Sequence, residues 1–68
     1  MNNDLRFFRY LASNARKHAV QARKATRKAL AAGKTELAKM HAESVDFWTR
    51  RRLERLAVIV AIKAELVS

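Results

Sequence analysis

Leu56-Ala57-Val58-Ile59-Val60-Ala61-Ile62 is an unbroken apolar run set inside a long stretch of amphipathic, helix-forming sequence. A helix turns about 100° per residue, so this run goes round the axis nearly twice and leaves no polar side. It must be covered from more than one direction. An all-round apolar helix segment is either buried core or membrane span, and this one is far short of the roughly 18 residues that a span requires. In a chain of 68 residues, part of the cover has to come from another chain.

The chain has no proline, and its single glycine, Gly33, lies near the middle. Alanine, the best helix former, is abundant on both sides, so the sequence predicts two long helices. Asn3 or Asp4 can accept the first free N–H groups of helix one, which runs from about 4 to 32. Gly33 can take the left-handed conformation that ends it, and Thr35 can cap helix two, which runs from about 36 to 66. A connection this short makes the helices antiparallel. Residues 1–68 are therefore a single all-α domain, a two-helix antiparallel hairpin.

Helix one carries Leu5, Phe8, Ala12, Ala15, Ala19, Ala22, Thr26 and Ala29 at strict 3,4 spacing, a heptad seam made mostly of alanine. Folding the chain back about Gly33 sets Phe8 near Val60, Ala12 near Leu56, Ala15 near Leu53, Ala19 near Trp48 or Thr49, and Ala22 near Val45. At about 25 cal/mol per Å² of apolar area, so small a seam holds two long helices poorly. The open end of the hairpin gathers more apolar surface than one hairpin can hide. Two copies are expected to interlock there as a four-helix homodimer, through Phe7, Phe8, Leu11, Leu56, Ile59, Val60, Ile62 and Leu66.

The absence of cysteine excludes disulfide staples and Cys-based zinc sites. His18 and His41 have too few acids around them to build a metal site, and neither metal nor cofactor is expected. Fifteen Lys and Arg stand against six acids, for a formal charge of +9, and no acid lies between Asp4 and Glu36. The polar start Met1-Asn2-Asn3-Asp4, with Arg6 and Arg9 beyond it, is unlike a signal peptide, and the reading is of a soluble, cytoplasmic protein.

His41, Ser44 and Asp46 have the composition of a hydrolase triad but not its arrangement. Asp46 points away from the other two on a helix, and nothing supplies a nucleophile turn or oxyanion hole. No catalysis is expected. The stronger signal is charge. Arg16, Arg23 and Arg27 form one row on helix one, and Lys17, Lys24 and Lys28 an adjacent one, with Val20 and Gln21 among them. A valine ringed by cations suits a protein-binding patch better than a phosphate rail. Arg50, Arg51 and Arg52, with Arg55, fan over about 200° of helix two and suit carboxylate or phosphate contacts, or stacking on Trp48.

Lys28-Ala29-Leu30, Gly33, Glu36-Leu37-Ala38-Lys39 and Ala42-Glu43 resemble the turn of the first helical hairpin in ESCRT-III subunits. That resemblance covers the turn and its flanks, and it implies a basic first helix facing an anionic membrane. In size, all-helical dimeric character and lack of a catalytic group, the chain also resembles in type the small phage-encoded proteins that inhibit a host regulator or motor. No individual residues carry over from that second resemblance.

The leading expectation is a non-enzymatic interaction module, a basic homodimeric hairpin that binds an acidic protein surface and inhibits or modulates its owner. Its partner-binding residues are Arg16, Lys17, Val20, Arg23, Lys24, Arg27, Lys28, Arg50, Arg51 and Arg52. Nucleic-acid binding through the same cations is the second expectation. Peripheral binding to an anionic membrane is third, because the face of helix one opposite its cations is alanine and inserts weakly.

Overall fold

In the computed structural model, which describes residues 2–67, helix α1 spans Asn2–Ala31 and helix α2 spans Thr35–Val67. They pack against each other along their length in a body of 53 × 14 × 11 Å. At 1.5 Å per residue each helix is itself about 45–50 Å long, so the pair lies side by side as an antiparallel hairpin. Among the described residues there is no strand.

The turn follows from one residue's freedom. Gly33 has φ +71°, a left-handed value that costs glycine nothing. With that conformation the Lys34 N–H donates to the Ala29 carbonyl at 2.9 Å and the Gly33 N–H to the Leu30 carbonyl at 3.0 Å. These two bonds make a Schellman cap and satisfy the last carbonyls of α1. Lys28 lies in the last turn of α1 and Glu36 in the first turn of α2, each with the sign its helix dipole favours. Capping of α2 differs from the sequence expectation by one residue. The Ala38 N–H donates to the Lys34 carbonyl at 3.0 Å, so Thr35 is already helical and Lys34 holds the cap position.

The alanine seam of α1 faces α2 as its spacing predicts. Ala12, Ala15, Ala19, Ala22 and Ala29 are buried, with Leu5, Phe8 and Thr26 half-buried among them. Thr26 sits in this seam without an orphaned hydroxyl, because its Oγ1 donates to the Ala22 carbonyl at 2.8 Å. The facing positions on α2 repeat in the same way, through Ala38, His41, Val45, Trp48, Arg55, Ile59 and Ile62. Two pairings read from the sequence are corrected. Leu53 and Val60 do not face Ala15 and Phe8; both are exposed, and Arg55 and Ile59 occupy the inward positions. Seven-residue steps from Val45 and Trp48 lead to Arg52, Ile59 and Arg55, Ile62, which turns Leu53 and Val60 outward.

The apolar run is consequently left largely open by its own chain. Ile59 alone is buried in it, at 7% exposure, while Val60 is 67% exposed and Val58 is also exposed. Among the described residues the buried core is six alanines and Ile59, and no large side chain is fully buried. The hairpin exposes 5412 Å². A compact chain of 7.8 kDa exposes about 4,400 Å². The excess, about 1,000 Å², is the surface of an elongated body only two helices thick.

Candidate functional site

The two sides of the hairpin have different chemistry, and the seam decides which residue goes where. Arg9, Arg16 and Arg23 each follow a seam residue, Phe8, Ala15 and Ala22, and so flank one side of it. Leu11, His18 and Ala25 each precede one and flank the other.

On the arginine side the helices enclose two open grooves in line. One, of about 220 Å³, is lined by Arg9, Ala12, Ser13, Arg16, Arg52, Leu56 and Ile59. The other, of about 630 Å³ and nearer the turn, is lined by Arg23, Thr26, Arg27, Ala42, Val45 and Asp46. Together they form a trough whose α1 wall is arginine and whose α2 wall is mostly aliphatic. A third hollow, on the outward face of α1, is bordered by Ser13, Arg16, Lys17, Val20, Gln21 and Lys24. The structure thus brings Arg16, Lys17, Val20 and Lys24 together, as the sequence reading has it, and sets Arg23 and Arg27 in the trough beside them. Lys28 is separated from this group; it borders a pocket on the other side with Ala25, Leu37 and His41.

Arg50, Arg51 and Arg52 do not act as one cluster. Arg52 lines the trough with Arg9 and Arg16. Arg51 lies over the Phe47 ring, 5.2 Å from its centre, and its Nη1 is 3.5 Å from Glu54 Oε2. Both ends of that ion pair are half-exposed, so it contributes little. Arg50 and Arg51 together border a hollow on the outer side of α2 with Glu43, Asp46, Phe47 and Glu54, so only Arg52 stands apart. The stacking expected on Trp48 is made by Arg51 on Phe47 instead. Trp48 stacks on His18, with ring centres 4.3 Å apart and planes inclined by 19°.

Arg55, read from the sequence as one of the four fanned arginines, has a contact that the sequence reading did not assign. Arg55 is half-buried in the seam of α2, and its Nη1 donates to the Leu11 carbonyl of α1 at 2.8 Å. That bond and the His18–Trp48 stack lie on the side away from the trough and tie the helices in register. The signal was present in the spacing, because Arg55 falls seven residues after Trp48 and seven before Ile62.

None of Arg16, Lys17, Arg23, Lys24, Arg27 and Lys28 forms an ion pair with a described residue. The cationic surface therefore faces solvent unneutralised, apart from Asp46 at one edge of the trough. His41, Ser44 and Asp46 do not converge. Ser44 Oγ donates to the Met40 carbonyl of its own helix at 3.3 Å, while His41 and Asp46 border grooves on opposite sides. Among the described residues no three His, Asp or Glu side chains gather at metal-binding distance, and no helix is long and apolar enough to cross a membrane. Comparison of the chain with protein-family models, curated proteins and solved structures found no match in any of the three.

Proposed function

We propose that the protein is a non-enzymatic interaction module, a homodimeric helical hairpin that docks its basic side on an acidic surface of another protein and modulates that protein. The observation that carries this reading is the trough. Its two grooves lie in line on one side of the hairpin, Arg9, Arg16 and Arg52 bordering one with Ala12, Leu56 and Ile59, and Arg23 and Arg27 the other with Ala42 and Val45. Arginine beside apolar surface is the composition enriched in protein interfaces, whereas nucleic-acid interfaces are more polar.

Dimerisation belongs to the same proposal. At the open end Phe7, Val60 and Leu66 are exposed and Phe8, Leu11 and Ile62 are half-covered, an apolar surface suited to a second copy. A second copy supplies what the alanine seam does not. Ile59 is spent inside the hairpin, and Leu56 borders the trough, so neither is central to that contact. Inhibition of a host regulator or motor, the role of the phage-encoded proteins that the chain resembles in type, is one form this function takes.

Capture from the cells that make the protein, with nuclease present, tests the reading. One discrete protein retained by the native chain and lost with Arg16→Glu and Arg23→Glu supports it. Retention that disappears on nuclease treatment replaces it with nucleic-acid binding.

A further inference from the structure

The arginine wall has a period. Arg9, Arg16 and Arg23 recur every seven residues along α1, which spaces them by about 10.5 Å and lays them parallel to the seam. In heptad terms they stand at the position next to the seam, where coiled-coil helices place the charges that select a partner helix. The opposite wall, from α2, offers Ala42, Val45 and Leu56 to the same trough, while Asp46 is its one acid. An occupant has to be elongated, apolar along one line, and acidic along the adjacent line at the same interval.

A second copy of this chain does not fit that description. Its acids are Asp4, Glu36, Glu43, Asp46, Glu54 and Glu65, and the one pair at seven-residue spacing, Glu36 and Glu43, continues to Arg50. Another copy would also bring its own charge of +9 to a cationic wall. A nucleic acid would match the charge but leave Val45 and Leu56 without a use.

Resting on the interaction-module reading above, we infer that the trough binds one acidic amphipathic helix of another protein, laid along the arginine side of each hairpin. The partner helix carries aliphatic residues at 3,4 spacing, which pack on Ala12, Val45 and Leu56. It carries Glu or Asp at seven-residue intervals, which meet Arg9, Arg16 and Arg23. Asp46 opposes it.

The probe is a fluorescently labelled synthetic peptide of about three heptads, with leucine along its seam and glutamate beside it. It is titrated with the full chain at about 150 mM salt and followed by anisotropy. Two control peptides replace either the leucines by glutamine or the flanking glutamates by lysine, and a random DNA duplex is the fourth ligand. The acidic-aliphatic peptide is expected to bind on the order of tenfold tighter than either control and than the duplex. Arg16→Glu, an exposed position that leaves helicity by circular dichroism intact, is expected to weaken it by tenfold or more, and Asp46→Asn to strengthen it a few-fold. Equal binding of the leucine-free peptide, tighter binding of the duplex, or indifference to Arg16→Glu would overturn the inference. If the peptide fails while a nuclease-resistant partner is still captured through Arg16 and Arg23, the helical occupant is wrong and the acidic-partner reading survives. If both fail, both are wrong.

Discussion

Val60→Ala separates a hairpin that stands alone from one that is covered by its copy. The substitution removes two carbons, worth about 1.6 kcal/mol when fully buried. Val60 is 67% exposed in the hairpin, so about one third of that value, roughly 0.5 kcal/mol, is lost from an isolated chain. Alanine is favoured over valine in a helix by about the same amount. The two effects cancel, and an isolated hairpin should not register the change. In a dimer that covers Val60, the other two thirds is lost as well, roughly 1 kcal/mol per chain and 2 kcal/mol per dimer. That corresponds to a dimer dissociation constant raised about 30-fold. Urea unfolding followed by circular dichroism at several concentrations between about 1 and 100 µM reads the effect, because a dimer's midpoint moves with concentration. Val60→Lys enlarges it, since lysine is at ease on an exposed helix and costly in an apolar interface. A Val60→Ala midpoint indistinguishable from the native one at every concentration would refute the reasoning.

Other substitutions test the hairpin itself. Ile59→Ala, at the one large buried position, should destabilise by about 2–5 kcal/mol, far more than its neighbour Val60, measured by the same unfolding assay. Ala15→Leu, at a position with 0% exposure, should push the helices apart and cost about 1–3 kcal/mol while each helix keeps its circular dichroism. Gly33→Ala meets no atom within 4 Å, so its cost comes from the φ of +71° alone. A loss of roughly 1–2 kcal/mol is expected, with Gly33→Asn losing less, again from the urea midpoint.

The hairpin was legible because its punctuation is sparse. With no proline and one glycine, Gly33 is the obvious break, and the 3,4 spacing from Leu5 to Ala29 names the buried face of α1 without ambiguity. The face of α2 was harder to read, because the apolar run is hydrophobic all round and offers no contrast between inside and outside. Leu53 is bulkier than Ala15 and close to what a small seam wants opposite it, so complementarity of size favoured the wrong partner there, and Val60 was set against Phe8 by the same fold-back count. The register is set instead by residues with mixed character. Arg55 buries its stem and bonds the Leu11 carbonyl, and His18 lies flat on Trp48. Neither contact follows from hydrophobicity, since a long arginine on an amphipathic helix is ordinarily a solvated one.

The candidate site was legible in composition and only partly in geometry. Arg16, Lys17 and Lys24 stand together around Val20 because one helix preserves sequence spacing in space, while Lys28 falls on the other side. Arg9 joined the site, and Arg52 was brought beside Arg16, through packing between helices. Arg9 enters the trough because it follows Phe8 in the heptad, as Arg16 follows Ala15. Arg52 left its neighbours Arg50 and Arg51 because consecutive helical residues point about 100° apart.

Sedimentation equilibrium of the native chain at tens of micromolar, on the order where a modest interface is populated, tests most directly whether one hairpin is an incomplete fold. A species of twice the 7.8 kDa chain mass, shifted toward single chains by Val60→Lys, is the predicted result. A fully helical species of 7.8 kDa across that range would contradict it.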